Sequence, residues 1–141
     1  MKQKLLILLL GCSPLLLGRL QDFCMTNLMW NVPLLLITAL MLLLWAFLSN
    51  SALYLLDGKK IALFLLNAPA VVTLALILVQ EWIFGAYWMN SIGIYSQLFY
   101  LPLISLGFRL TFWANSIPPA YITAFLTMIL VSVLVYKKKK T

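Results

Sequence analysis

Three long apolar runs without a single charged residue constrain the fold of this chain more than any other feature. They lie at 32–49, 61–80 and 118–136. Each is close to the roughly 20 residues that a helix needs to cross hydrocarbon about 30 Å thick. The chain as a whole is 65% hydrophobic and 9% charged, which leaves too little polar side chain to cover a soluble globule. The sequence therefore predicts an integral membrane protein.

The same runs indicate the class of secondary structure. The alternating ten-residue segments of a membrane β-barrel are absent, so helices are the way for this backbone to satisfy its own hydrogen bonds in lipid. A fourth, shorter run covers 4–23. We predict an all-α, polytopic membrane protein in which residues 1–141 form one integral membrane domain. Its four transmembrane helices are expected at about 4–23, 32–49, 61–80 and 118–136.

The first run has a second interpretation. "MKQKLLILLLGCS" has a basic start, a short apolar stretch and a cysteine, which resembles a bacterial lipoprotein signal. Cys12 would then be lipidated and become the mature N-terminus. Leu10 argues against this, because it is bulky where that signal usually has a small residue. We interpret the start as a transmembrane helix and keep lipidation of Cys12 as the alternative.

The distribution of basic residues predicts the topology. With four crossings and both termini in the cytoplasm, only Arg19 and Arg109 among the ten cations lie outside. The other eight lie inside, namely Lys2, Lys4, Lys59, Lys60 and 137–140. A fifth crossing would either export the four-lysine tail or divide the cations equally, against the positive-inside rule. We therefore predict four crossings in a bacterial cytoplasmic (inner) membrane; a eukaryotic dilysine-type retrieval tail needs more assumptions.

This topology makes residues 81–117 an extracytoplasmic segment that is unusually apolar for a loop. Ten of the 19 aromatic residues lie between Trp82 and Trp113. Trp and Tyr favour the head-group level of the membrane, so we expect this outer segment to be interfacial or re-entrant, with a kink at Pro102. It is either an aromatic belt that seats the protein or a platform for a lipid, a quinone or a protein partner.

Small and polar residues within the runs predict where helices meet, because lipid removes most of the hydrophobic drive between them. Gly11 and Gly18 would let the first helix approach another closely. Asn67 and Pro69 predict an intramembrane polar site, interpreted as a hydrogen-bonded kink or a small polar pocket. A helix-packing face is predicted on the last helix from Ala120, Thr123, Ala124 and Thr127.

The residue types that usually carry catalysis are scarce. The chain has no histidine, and its two cysteines, Cys12 and Cys24, do not form a Cys-x-x-Cys pair. The three acids are Asp22, Asp57 and Glu81. We therefore predict no catalytic residues, no metal site and no cofactor. The candidate polar cluster, on the outer side, combines Arg19, Asp22, Glu81 and Arg109, interpreted as two ion pairs.

The function expected from these features is that of a non-catalytic accessory, assembly or interaction subunit of a membrane complex. Its expected partners are the lipid bilayer and another membrane protein or a second copy, and not nucleic acid. The alternative is a small transporter or lipid-handling protein that uses an outer cleft near Glu81 and Arg109. An outward-facing enzyme that uses Asp22 and Glu81 is a third hypothesis.

Overall fold

A computed structural model describes residues 2–31, 33–57 and 59–140. These ranges contain helices and no strand, in agreement with the predicted all-α class. The helices are α1 (Lys2–Leu10), α2 (Ser13–Thr26), α3 (Leu34–Leu55), α4 (Lys60–Trp82), α5 (Ser91–Leu110) and α6 (Pro118–Lys140).

The predicted first span is divided into α1 and α2. Pro14 has no N–H to donate to the carbonyl of Leu10, so α1 ends there and Pro14 occupies the first turn of α2. Taken together, α1 and α2 form one apolar segment that is long enough to cross a membrane, and α3, α4, α5 and α6 are four more. The described chain thus has five candidate spans. This agrees with an integral membrane protein, but it does not confirm the prediction of four spans.

The helix α6 runs antiparallel to α4. Near its start, Tyr121 packs edge-on against Tyr100, with ring centroids 5.8 Å apart, and lies beside Tyr87 in the segment that follows α4. Further along, Ser132 forms a hydrogen bond with Asn67 in the first half of α4. We call the end of the bundle where α4 ends and α6 begins the aromatic end. The opposite end, where α4 begins and α6 ends, is the lysine end.

The helix α5 contacts the aromatic end with both of its halves. Near its start, Ser96 accepts a hydrogen bond of 3.1 Å from Gln80, close to the end of α4. Beyond its midpoint, the carbonyl of Pro102 accepts one of 2.7 Å from Thr38, in the second turn of α3. Near its end, Gly107 packs against the backbone of Ala120 in the first turn of α6. The chain therefore enters and leaves α5 at the same end of the bundle.

Glycines set the closest approaches between helices. A Cβ atom at Gly18 would overlap the carbonyl of Leu98 in α5, and one at Gly11 would overlap the carbonyl of Leu66 in α4. The predicted close approach at these two glycines is confirmed. The arrangement of α2 against α5 thus depends on the missing side chain at Gly18.

Candidate functional site

The most connected polar site lies inside the bundle, in the half nearer the lysine end. Its centre is the hydroxyl of Ser132 on α6. Trp45 donates its indole N–H to Ser132 over 3.2 Å, and Asn67 donates its amide N–H to it over 3.2 Å. The hydroxyl of Ser49 lies 3.1 Å from that of Ser132. Three helices, α3, α4 and α6, are joined through this one oxygen.

The hydrogen-bonding capacity of the Ser132 hydroxyl is fully used. An alcohol accepts two hydrogen bonds and donates one, so Ser132 accepts from Trp45 and Asn67 and donates to Ser49. Asn67 also donates to the carbonyl of Leu63 over 2.8 Å, while its own side-chain oxygen is buried without a partner. All four side chains are buried. The site therefore holds α3, α4 and α6 together, and its buried side chains are not accessible to a ligand.

Sequence reasoning identified only Asn67 of this network. Ser49 and Ser132 carried the same signal, because each is a polar residue within an otherwise apolar run. Pro69 does not share the site. Its ring packs 3.1 Å from the Cβ position of Gly11 at the junction of α1 and α2, and its carbonyl accepts a hydrogen bond from Thr73. Asn67 and Pro69 thus serve different helix contacts.

The four residues of the predicted packing face of α6 are not equally buried. Ala120 and Ala124 are fully buried, whereas Thr123 and Thr127 are half-buried. The hydroxyl of Thr127 donates to the carbonyl of Ala124 over 2.7 Å, so it is occupied within its own helix.

Two members of the predicted polar cluster lie together on α2. The guanidinium of Arg19 and the carboxylate of Asp22 are 3.8 Å apart, and their side chains are 62% and 36% exposed. An exposed pair of this kind contributes about 1 kcal/mol or less to stability. Asp22 also lines a cleft of about 290 Å³ with residues of α5 and with Tyr121.

The other two members are not joined to each other. Glu81 lies beside Tyr87 and Tyr121. Burial of the Tyr87 phenol raises its pKa well above the ordinary value, and the negative charge of Glu81 raises this pKa further. Arg109 lines a separate groove with Pro33 and Ser105, and the described residues contain no ion pair between it and Glu81. Among the described residues, the ion pair shown for these four side chains is the one between Arg19 and Asp22.

The structure also has an apolar groove that the sequence did not predict. It lies between α2 and α3 towards the aromatic end and encloses about 570 Å³. Gln21 and Cys24 are polar members of a lining that is mainly apolar. The groove depends on where α2 and α3 stand relative to each other, which periodicity within either helix does not specify.

Exposed large apolar side chains occupy the segments between helices at the aromatic end. Met29 is 87% exposed, Met89 87%, Phe112 85% and Trp113 71%. None of these residues belongs to a helix. Such side chains are typical of either the membrane interface or a contact with another protein.

The fold and these sites define a polytopic helical membrane protein whose buried polar groups join helices. Among the described residues, no three cysteine or acidic side chains are grouped as metal ligands. No protein-family model matches the chain, and no curated protein or solved structure matches it either.

Proposed function

We propose that this protein is a non-catalytic interaction subunit of a membrane complex, which binds another membrane protein or a second copy of itself. The observation that carries the proposal is the set of exposed aromatic and methionine side chains in the linkers of the aromatic end. Aromatic residues and methionine are enriched in the cores of protein interfaces, and a few of them usually supply most of the binding energy.

The buried polar residues support the same proposal. Trp45, Ser49, Asn67 and Ser132 are used in joining α3, α4 and α6, and they do not line an open path. A transport path needs polar groups that face a water-filled cavity, and a catalytic site needs groups that reach a substrate. The transporter alternative places Glu81 and Arg109 in one cleft, and the described lining of the groove at Arg109 does not include Glu81.

We further propose that the chain crosses the membrane four times, with the lysine end in the cytoplasm of a bacterial cell. In this topology α5 lies within the outer half of the bundle without passing through. Two observations support it: both halves of α5 contact the aromatic end, and Lys59, Lys60 and the tail lysines lie at the opposite end. The groups of basic residues then remain inside.

Cysteine labelling tests this topology. In a background with Cys12→Ser and Cys24→Ser, we expect an impermeant maleimide to label both Ala86→Cys and Asn115→Cys in intact cells. These exposed residues flank α5, so they lie on the same side of the membrane only if α5 does not cross. Asp57→Cys, in the turn at the lysine end, is the control that should react only after the membrane is opened. Labelling of only one of the two flanking cysteines would show that α5 crosses.

Mass measurement after mild solubilisation tests the interaction function. We expect a particle heavier than the 16.0 kDa chain, once bound detergent is subtracted. Phe112→Ala with Trp113→Ala should weaken the association about 30-fold, because truncation of an aromatic hot spot costs about 2 kcal/mol. Phe47→Ala with Phe64→Ala is the matched control, since these exposed aromatics lie on the sides of α3 and α4. A monomeric wild-type particle, or equal effects of the two double variants, would contradict the proposal.

A further inference from the structure

A pocket of about 340 Å³ lies at the lysine end between α3 and α6. Its described lining residues are Asn50 from α3 and Val135, Lys138 and Lys139 from α6. Asn50 and the two lysines are exposed, and Val135 is half-buried. The pocket therefore combines two ammonium groups and one amide with an apolar wall.

The charges of this pocket are not neutralised within the described part of the chain. Among the residues that the structure describes, no carboxylate is paired with Lys138 or Lys139. Lys139 makes a cation–π contact, because its ammonium group lies 5.4 Å from the ring centroid of Tyr54. Two ammonium groups beside an amide donor favour an oxyanion, and phosphate is the one that lysine commonly binds.

The surroundings of the pocket indicate the source of that phosphate. Leu130 and Leu134 precede Lys138 at intervals of four residues, so the three share one face of α6. The two leucines are 57% and 55% exposed. The surface of α6 is therefore apolar along Leu130 and Leu134 and positively charged at Lys138. This order matches a lipid, whose apolar acyl chains end at a charged head group.

We infer that this pocket binds the phosphate of an anionic lipid, with the acyl chains along Leu130 and Leu134 and the head group between Lys138, Lys139 and Asn50. The site is a feature of the lysine end and does not depend on the proposed interaction function. It is distinct from general attraction of basic residues to a membrane, because among the described lysines Lys138 and Lys139 line the pocket, whereas Lys59 and Lys60 at the same end do not.

Lipid titration of the full-length, delipidated protein tests the inference. Binding of single phosphatidylglycerol molecules is measured by native mass spectrometry, with phosphatidylcholine for comparison. Lys138→Gln with Lys139→Gln should weaken the first phosphatidylglycerol site about 25-fold, since each lysine near an anionic head group contributes a factor of about five. Phosphatidylcholine, whose head group has no net charge, should bind the wild type and this variant alike.

The matched control is Lys59→Gln with Lys60→Gln. It removes the same charge from exposed lysines at the same end that do not line the pocket. We expect this control to change binding by about threefold or less, because solvent screens charges beyond about 10 Å. Equal losses in the two double variants, or no loss in either, would overturn the inference. Displacement of the lipid by equimolar inorganic phosphate would overturn its assignment to a lipid.

Discussion

Gly18→Ala should lower the free energy of unfolding by about 3 kcal/mol, although alanine is the better helix former. At an unconstrained helical position, the change from glycine to alanine stabilises by about 1 kcal/mol. At Gly18 the new Cβ would overlap the backbone carbonyl of Leu98. A backbone carbonyl within α5 cannot rotate away as a flexible side chain can, so α2 and α5 must separate and lose packing along their contact. Chemical unfolding in a mild detergent measures the difference.

The sign of the change in the free energy of unfolding distinguishes the two effects of Gly18→Ala. Helix propensity alone predicts stabilisation, whereas overlap with Leu98 predicts destabilisation. Leu20→Ala is the control on the same helix, because Leu20 is 58% exposed and its truncation should change stability by about 0.5 kcal/mol or less. If Gly18→Ala stabilises the protein, the close contact between α2 and α5 does not exist in the membrane-extracted fold.

Ser132→Ala should lower the free energy of unfolding by about 2 kcal/mol. The substitution removes one oxygen, yet it leaves the indole N–H of Trp45 buried without its acceptor. A buried donor without a partner costs about 1–3 kcal/mol. Asn67 is affected less, since its amide keeps the bond to the carbonyl of Leu63. Ser51→Ala is the control, because Ser51 is half-buried on α3 and lies outside this network.

A double-mutant cycle separates the network from a simple loss of packing. Trp45→Phe removes the indole N–H and keeps most of the aromatic surface. In the Ser132→Ala background this N–H has already lost its acceptor, so Trp45→Phe should cost about 1 kcal/mol less there than in the wild type. Strictly additive effects would show that Trp45 and Ser132 are not coupled.

Local patterns predicted part of the buried polar site. Asn67 was conspicuous because an amide within an apolar run needs a partner in lipid. Its partner was not predictable, because nothing local relates Asn67 to Ser132, which lies 65 residues further along the chain. Tertiary packing brings the first half of α4 against the second half of α6 and places both beside Trp45.

The charged residues of the candidate polar cluster show the opposite case. Arg19 and Asp22 are three residues apart on one helix, so their pairing follows from helical geometry. Glu81 and Arg109 lie on different helices, and the path of α5 decides which groups each of them meets. That path places Arg109 beside the start of α3 and leaves Glu81 with Tyr87 and Tyr121.

The amino-acid sequence alone determined that this chain is helical and belongs in a membrane. Hydropathy and backbone hydrogen bonding are properties of continuous segments, so the apolar runs specify α3, α4 and α6 closely, and Pro14 specifies the break before α2. Only the tertiary structure decided that both halves of α5 contact the aromatic end and that Ser132 joins three helices. These features depend on which helix faces meet, and in lipid that choice is made by close backbone contacts and paired polar groups between segments distant in the chain.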